Sequence, residues 1–373
     1  MNGLFKFISP FAPDQSGATA VLFSLGGITV ICDAGGCAGN ICGFDEPRWF
    51  TEKSAVFSAG LRDIDAILGR DERLVQKLEE AVKFIDAKFA AIIGTPVPAV
   101  IGTDFRALGQ MAEKRLGIPV LALDTTGIGL YDEGEEKAYV GLFSAFASDK
   151  FEKKFDVGVL GATPLNLPDK NYAGKLKELI EKKYGKAALF LGENGIDEAR
   201  NAGGAKLNVA VSASGIKAAE YLQQRFGTPF VVEFPIEKQI RNMKYEIRNK
   251  EKQIQAAGEE QRQSNGRTLV IHQQVLANSV RELLEARGET ADVAVWFKLH
   301  AKYARENDVR LSEEDELLRL LSERRYTKIV ADPIFLRCPA VRGLEFVSLC
   351  HYACSGELYA ASALENFGKI IGE

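Results

Sequence analysis

Short runs of β-branched and apolar residues alternate along the chain with longer stretches of helical periodicity. The apolar runs end in Gly, Asp, Thr or Pro, which is typical of buried strands. They predict strands at residues 29–33, 90–94, 119–124, 156–161, 187–192, 207–212, 230–233, 268–272, 292–297, 327–331 and 345–349. The intervening stretches predict helices, for example at 71–89 and 170–184. Continuous apolar strands separated by such helices indicate parallel sheets with helices on both faces, which is the doubly wound α/β class.

Two polar stretches, at residues 145–156 and 235–267, divide this pattern into three groups. The second stretch is rich in interleaved Lys, Arg and Glu and predicts a charged connector helix. We therefore predict three Rossmann-like units in series: 1–150, 151–266 with the connector helix at its end, and 267–373. Ligands of such sheets bind beyond the carboxyl ends of the strands, which directs attention to the residues that follow each strand.

Charge and missing motifs exclude several classes of function. Among 373 residues, 47 Lys and Arg against 51 Asp and Glu leave a formal charge of −4, without the basic blocks that bind nucleic acid or anionic lipid. We find no leader-like start and no apolar run of membrane-spanning length, so we expect a cytoplasmic protein. The phosphate loop GxxxxGK[ST] and the motifs GxGxxG, HExxH and GxSxG are absent from the sequence, so it shows no apparatus for nucleotide hydrolysis.

Six cysteines fall in two windows, and the first window predicts metal chemistry. In the stretch ICDAGGCAGNIC, a strand ends at Cys32, a Gly-Gly turn follows, and Cys37 begins a helix. A thiol at a helix N-terminus is expected to have a lowered pKa, which suits an iron ligand. Cys42 lies about 500° further round that helix, so it does not share the face of Cys37. The alternative for each thiol, and for the second window of Cys338, Cys350 and Cys354, is simple burial.

Several segments in order resemble one family. The segments GGC, FSAGLRDIDAILGRDERL and IIGTPVPAVIGTDFRAL are similar to the first domain of nitrogenase component 1 proteins. This family includes the nitrogenase α and β subunits, the dark-operative protochlorophyllide reductase and shorter nitrogenase-like proteins. The segment KLNVAVSASGIKAAEYLQQRFGTPF resembles the second domain, and LCHYACSGELY resembles the third. The resemblance implies the three-unit fold of nitrogenase component 1.

The resemblance also implies an iron–sulfur site. Cys37 matches the family's central cysteine ligand of the cluster at the subunit interface. The two other ligand positions fall within residues 11–15 and at Thr95, where no cysteine occurs. Cys32 and Cys42 are candidate replacements. Alternatively, two chains pool their thiols across a two-fold axis, because a [4Fe–4S] cluster takes four ligands. We expect a homodimer with a shared [4Fe–4S] cluster.

A second site implied by the resemblance departs further from the family. Nitrogenase members hold their large metal cofactor with one cysteine and one histidine, and the matching positions here are Ser212 and Cys350. Since serine is a poor iron ligand, we expect neither that cofactor nor dinitrogen reduction. His351 adjoins Cys350, and we take these two as candidate catalytic residues in a cleft between the three units. Ser212, Thr95 and Asp104 are the candidates for binding a cofactor; Asp104 matches an acidic position of the family's first domain.

Three functions remain open at this point. The first is a nitrogenase-like oxidoreductase subunit that receives electrons from a separate ATP-dependent iron–sulfur reductase and reduces a small molecule in the cleft. The missing phosphate loop agrees with this function, because in the family the partner hydrolyses ATP. The second is a scaffold or carrier of a metal cluster, which the lost ligands favour. The third is a small-molecule-binding protein with structural cysteines.

Overall fold

The computed structural model describes residues 5–69, 71–152, 154–236, 266–324 and 326–372, which form three parallel sheets. The strands are β1 (Ile28–Ile31), β2 (Ala55–Ser58), β3 (Ala90–Ile93), β4 (Val120–Leu123), β5 (Val157–Leu160), β6 (Ala187–Ala188), β7 (Leu207–Ala210), β8 (Phe230–Val232), β9 (Arg267–Ile271), β10 (Thr290–Val295), β11 (Val309–Arg310), β12 (Tyr326–Ala331) and β13 (Glu345–Ser348). The helices are α1 (Asp14–Leu22), α2 (Gly36–Asn40), α3 (Asp63–Leu68), α4 (Asp71–Ala81), α5 (Pro96–Ile101), α6 (Phe105–Leu116), α7 (Tyr131–Phe146), α8 (Ala173–Tyr184), α9 (Asp197–Arg200), α10 (Ala213–Phe226), α11 (Gln274–Ala286), α12 (Glu314–Glu323), α13 (Tyr352–Ser355) and α14 (Ala363–Ile371).

Each sheet contains a point at which the direction of the crossovers reverses. The strand orders are β2-β1-β3-β4, β6-β5-β7-β8 and β11-β10-β9-β12-β13, and the paired strands run parallel. The reversals therefore lie between β1 and β3, between β5 and β7, and between β9 and β12. Such switch points open a crevice beyond the carboxyl ends of the two strands, where ligands of α/β proteins bind.

The predicted fold class is confirmed, and every predicted strand is present with small shifts at its ends, except that the strand predicted at 187–192 is limited to Ala187–Ala188. Two strands were not predicted: β2 and β11 lie at sheet edges and are partly exposed, so they lack a continuous apolar run. The helix predicted over 71–89 ends at Ala81, because the chain turns back towards β3 and the Lys88 N–H donates to the Gly26 carbonyl at 3.0 Å. Most of the predicted connector helix, residues 237–265, lies outside the described residues.

The hydrophobic cores cross from one sheet to the next. One core combines Ile31 and Ile93 of the first sheet with Leu160 and Phe190 of the second unit. Another joins the second sheet to α11 and β10 of the third, and a further core packs Tyr131 of α7 against third-sheet residues. The described sheets therefore share cores, and the division into three domains stays a prediction.

Two helices of the first unit pack with their backbones in direct contact. All nine residues of α1 are buried, and α1 crosses α7 at two glycines. A Cβ atom on Gly134 would lie 1.7 Å from the Asp14 carbonyl oxygen, and one on Gly17 would lie 1.8 Å from that of Tyr131. Only glycine permits this approach, which fixes Tyr131 and the start of α7 against α1.

The N-terminal segment is attached to the third unit by hydrogen bonds to Glu314, Asp315 and Ala353. Glu314, at the start of α12, accepts hydrogen bonds from the backbone N–H groups of Lys6, Phe7 and Ile8 at 2.8, 3.0 and 2.9 Å. Phe11 packs nearby, with its ring 5.4 Å from that of Trp296. The segment therefore forms part of the core of the third unit.

Within the described ranges, no helix combines the length and the hydropathy that crossing a bilayer requires.

The α1–α7 contact predicts a sharp difference between two glycines of one helix. Gly134→Ala should lower the free energy of unfolding by at least about 2 kcal/mol, because the new methyl group meets backbone atoms that cannot move aside. Gly141→Ala, in which the methyl group would contact Leu123 Cδ2 at 3.4 Å, should stay within about 1 kcal/mol of wild type. Urea unfolding of both variants measures the difference, and equal stabilities would contradict the described contact.

Candidate functional site

The cysteine-containing loop follows β1 at the switch point of the first sheet. Cys32 is buried, and its carbonyl oxygen accepts a hydrogen bond from the hydroxyl of Thr95, which follows β3, at 2.8 Å. Burial, with the nearby Asp71 and Asp33 carboxylates, raises the pKa of the Cys32 thiol to about 12. The thiol of Cys32 is thus protonated inside the core, while its backbone holds the two strand ends together.

A buried carboxylate shapes the turn that presents Cys37. Asp33 accepts a hydrogen bond from the Ala38 N–H at 2.8 Å and another from the Ser58 hydroxyl at 2.6 Å. Gly35 provides the turn with φ 121°, in the region that favours glycine. Cys37 follows in the first turn of α2, where it is half-buried.

The expected lowering of the Cys37 pKa is wrong. Burial and the Asp33 carboxylate raise the pKa of the thiol, and the Thr95 hydroxyl beside it lowers the pKa only in part. The prediction considered the helix terminus alone, whereas α2 has five residues and its first turn is organised around a negative charge. The structure does bring Cys37 and Thr95, two predicted site residues, into contact.

Cys42 lies in a π-helical turn, Ile41–Asp45, that continues α2. Burial and the carboxylates of Glu46 and Asp33 raise the pKa of its thiol. The turn is fixed by Asp45, which accepts hydrogen bonds from the Ser16 hydroxyl at 2.6 Å and the Asn40 amide at 2.7 Å. Cys42 is half-buried like Cys37, so these two thiols are the reachable ones of the first window.

The positions at which the family has further cysteines carry oxygen groups here. Thr95 contacts Cys37, as described above. Gln15 is buried, and its Oε1 atom has no hydrogen-bond partner among the described residues. Among all the described residues, no group of three or more His, Cys, Asp or Glu side chains is arranged to hold a metal ion. The described residues of one chain therefore do not bring together a full set of cluster ligands.

Ser212 lies at the switch point of the second sheet and belongs to a buried hydrogen-bonded network. Its Oγ is 2.8 Å from that of Ser214, which donates to Glu135 of α7 at 2.5 Å. Glu135 also accepts hydrogen bonds from the Thr163 hydroxyl, which follows β5, and from the Asn166 amide at 2.6 Å. A carboxylate of the first unit thus gathers three donors from the second.

Tyr131, one turn before Glu135, continues this network to the third sheet. Its hydroxyl donates to Asn166 Oδ1 at 2.9 Å and lies 3.1 Å from His351 Nε2. The other ring nitrogen of His351 lies 3.5 Å from Cys354 Sγ. Burial and the neighbouring His272 ring keep the pKa of His351 well below its usual range, so the imidazole is neutral.

The third switch point contributes His272 and Asp332. The His272 ring stacks on that of His351 with centroids 4.0 Å apart. His272 Nδ1 accepts from the Gln273 N–H at 2.8 Å, so Nε2 carries the proton and donates to the Cys350 carbonyl at 3.0 Å. Asp332 accepts from the His351 N–H and from the Ser355 hydroxyl, both at 2.8 Å.

The candidate catalytic residues therefore lie in a closed interior. Cys350 is buried, its Sγ is 3.6 Å from the Tyr359 carbonyl oxygen, and burial raises the pKa of its thiol to about 12. His351 and Ser212 are buried with their polar atoms paired. Instead of an open cleft, the structure has hydrogen-bonded side chains at this place.

Asp104 has a local structural role. Its Oδ1 accepts the Ala107 N–H at 2.9 Å and so caps α6. It also lines a cavity of about 170 Å³ together with Cys32 and Asp71. Repulsion by Asp104, added to burial, raises the pKa of Asp71.

Sequence reasoning missed the residues that connect the units. Glu135, Tyr131 and Asn166 were not singled out, although α7 carried a signal. Its buried stripe reads Tyr131, Glu135, Tyr139 and Phe143 at helical spacing, so one carboxylate interrupts an apolar face. A charge at such a position is expected to have specific partners.

Glu135 predicts a specific pH dependence of stability. Burial raises its pKa from 4.5 to about 7, although hydrogen bonds from Ser214, Thr163 and Asn166 lower it. The pKa of Glu135 is higher in the folded state than in the unfolded state, so its contribution to the free energy of unfolding is fully present below pH 4.5. That contribution is lost as the pH rises from 4.5 through 7, which lowers the free energy of unfolding by about 3 kcal/mol. Glu135→Gln should remove this pH dependence of the free energy of unfolding, because the glutamine amide does not titrate and can still hydrogen-bond to Ser214, Thr163 and Asn166.

Glu136→Gln is the matched control. Burial alone would raise the pKa of Glu136, but hydrogen bonds from Lys298 and Lys217 lower it below its usual value. The contribution of Glu136 to the free energy of unfolding is therefore lost as the pH falls, which is opposite to the behaviour of Glu135. Denaturant unfolding between pH 5 and 8 should show a flatter profile for the first variant alone. Parallel profiles of wild type and Glu135→Gln would overturn the role given to Glu135.

Comparison with known proteins identifies the family of this chain. The model of the family described as nitrogenase component 1 type oxidoreductase matches residues 15–242. The nitrogenase iron-molybdenum cofactor biosynthesis protein NifE of Clostridium pasteurianum is 29% identical over 182 residues, which cover 47% of this chain and 38% of that protein. NifE of Klebsiella pneumoniae is 28% identical over 199 residues, covering 47% and 41%. The nitrogenase molybdenum-iron protein alpha chain of C. pasteurianum is 25% identical over 182 residues, covering 47% and 33%.

Each match thus spans less than half of the relative's own length. Among solved structures, "Nitrogenase Cp1 at pH 6.5" superposes with a TM-score of 0.68 and 15% identity, over 100% of this chain and 90% of that one. That likeness shows a shared fold. Because the family model covers more than half of the sequence, the chain belongs to the nitrogenase component 1 type oxidoreductase family.

Proposed function

We propose that the chain is a nitrogenase-like oxidoreductase subunit. It accepts electrons from an ATP-dependent iron–sulfur reductase through a [4Fe–4S] cluster and reduces a small molecule other than dinitrogen. The observation that carries this proposal is Cys37: a half-buried thiol at a switch point, in contact with Thr95, in a chain of this family. A bound cluster supplies one-electron chemistry.

Each chain offers two reachable thiols of the first window. Cys37 and Cys42 are reachable, whereas Cys32 is buried in the core. Two chains related by a two-fold axis offer four such thiols, which is the number that a [4Fe–4S] cluster takes. Exposed apolar side chains flank this loop, among them Phe44 in the π-helical turn and Phe57 on β2. Such a surface favours a homodimer.

The surrounding residues would hold the ligand in position. Asp33 fixes the turn before Cys37 through Ala38 and Ser58. Because burial raises the thiol pKa values, metal binding must displace protons from Cys37 and Cys42, so loading should improve as the pH rises. The formal charge of −4 supports neither nucleic acid nor an anionic membrane as a partner, and a cytoplasmic location is part of the proposal.

A second function, cluster scaffold or carrier, is favoured by the relatives named as cofactor biosynthesis proteins. The two functions differ in how firmly the cluster is held. An oxidoreductase should keep its cluster through repeated reduction and oxidation. A scaffold should transfer it to an apo iron–sulfur enzyme within minutes.

We expect Cys37→Ala to lose most of the bound iron. Anaerobically purified wild-type protein should contain about four irons and four sulfides per dimer. Cys338→Ala is the matched control, because Cys338 is equally a free cysteine but is buried in the core of the third unit. Iron, sulfide and native mass are measured on the same samples. Full iron retention in Cys37→Ala would contradict the assignment of Cys37 as a ligand of the cluster.

The transfer experiment separates the two proposed functions. The wild-type protein is loaded, cycled with dithionite and a mild oxidant, and then mixed with an apo [4Fe–4S] enzyme. We expect the iron to stay with this chain and its redox spectrum to return after each cycle. Rapid activation of the acceptor enzyme would replace the oxidoreductase function with that of a scaffold.

A further inference from the structure

We propose that the interior junction of the three units, at the place that matches the family's large metal cofactor, is a filled polar core in this chain. This proposal stands on the packing of the junction alone.

The polar atoms of the junction are already paired with one another. Ser212 and Cys350 are the positions that match cofactor ligands. The Ser212 hydroxyl bonds to Ser214, and the Cys350 thiol faces the Tyr359 carbonyl. A metal at either atom would have to displace a protein partner.

His351 offers no free nitrogen either. Its Nε2 lies 3.1 Å from the Tyr131 hydroxyl and its Nδ1 lies 3.5 Å from Cys354 Sγ. Its backbone N–H is bonded to Asp332. The side chain that could act as a ligand beside Cys350 is therefore held on all sides.

Aromatic rings fill the space between these polar groups. The Tyr131 ring lies 4.8 Å from that of Phe297, and Phe297 lies 4.9 Å from His351. The His272 ring covers the other face of His351 at 4.0 Å. Each of these four side chains is at most 2% exposed. A cofactor of several metal ions would have to expel rings packed at the density of a protein core.

The hydrogen bonds of Glu135 also oppose separation of the first and second units at the junction. To separate the units here, the Glu135 carboxylate must leave the donors Thr163, Asn166 and Ser214. Leaving buried polar groups without hydrogen-bond partners is unfavourable. The junction therefore behaves as a structural connection between the units, not as a chamber.

The loop that carries Cys37 and Cys42 is accessible to solvent, in contrast to the packed junction. Cys37 and Cys42 are half-buried, and Ala34, Gly36 and Gly39 around them are exposed. The thiols of this loop can therefore be reached without any rearrangement of the core, unlike the side chains of the junction.

The test restores the family's ligand types at the two matching positions. Ser212→Cys/Cys350→His and wild-type protein are each incubated anaerobically with isolated iron–molybdenum cofactor, and molybdenum and iron are measured after gel filtration. We expect no retained molybdenum in either protein and unchanged iron at Cys37. Stoichiometric molybdenum in either one would overturn the filled core.

Two conservative variants keep the test valid if the double variant does not fold. Ser212→Ala and His351→Gln should lower the unfolding temperature while iron per dimer and the spectrum of the reduced cluster stay as in wild type. Loss of iron or a changed spectrum in these variants would place metal in the interior and contradict the inference. Absence of iron from wild type would refute the proposed function, whereas the molybdenum measurement would still test the core.

Discussion

Hydrogen bonds made by buried side chains of α7 constrain how the three sheets meet. Glu135 extends from α7 of the first unit into donors that follow two strands of the second, and Tyr131 on the same helix continues the contact to His351 in the third. A buried charge is tolerated only where its partners are complete. The relative position of the sheets is therefore constrained by hydrogen-bond geometry as well as by apolar packing, and the α1–α7 glycine contact fixes the helix that carries the carboxylate.

The three switch points of this chain differ in how accessible they are. At the first switch point the loop with Cys37 is open, shaped by Asp33 and Thr95, and bordered by exposed apolar side chains. At the other two switch points the residues that follow the strands are buried, and their polar side chains form hydrogen bonds within the protein. The first switch point is therefore accessible in this chain, whereas the other two are packed.

The sequence predicted what depends on local pattern. Buried strands are continuous apolar runs, so all of them were found, and the residues that follow them include Cys37, Thr95, Ser212 and His351. What depends on distant neighbours was missed. Edge strand β2 lacks a full apolar run, α1 is built of small and polar residues that only the fold buries, and Glu135 acquires its role from partners up to 79 residues away. The pKa of Cys37 was assigned the wrong direction because the fold half-buries the thiol and places the Asp33 carboxylate near it, and both raise its pKa.

The attachment of residues 6–8 to Glu314 has a consequence for synthesis. These residues leave the ribosome some 300 positions before their partner, and the hydrogen bonds join atoms 306 to 308 residues apart. The segment cannot complete its packing until Trp296, which contacts Phe11, and Glu314 have both been made. Contacts of such long sequence separation form late. Residues 6–8 thus reach their native contacts long after they are made, and until then the segment and its apolar docking surface are both exposed.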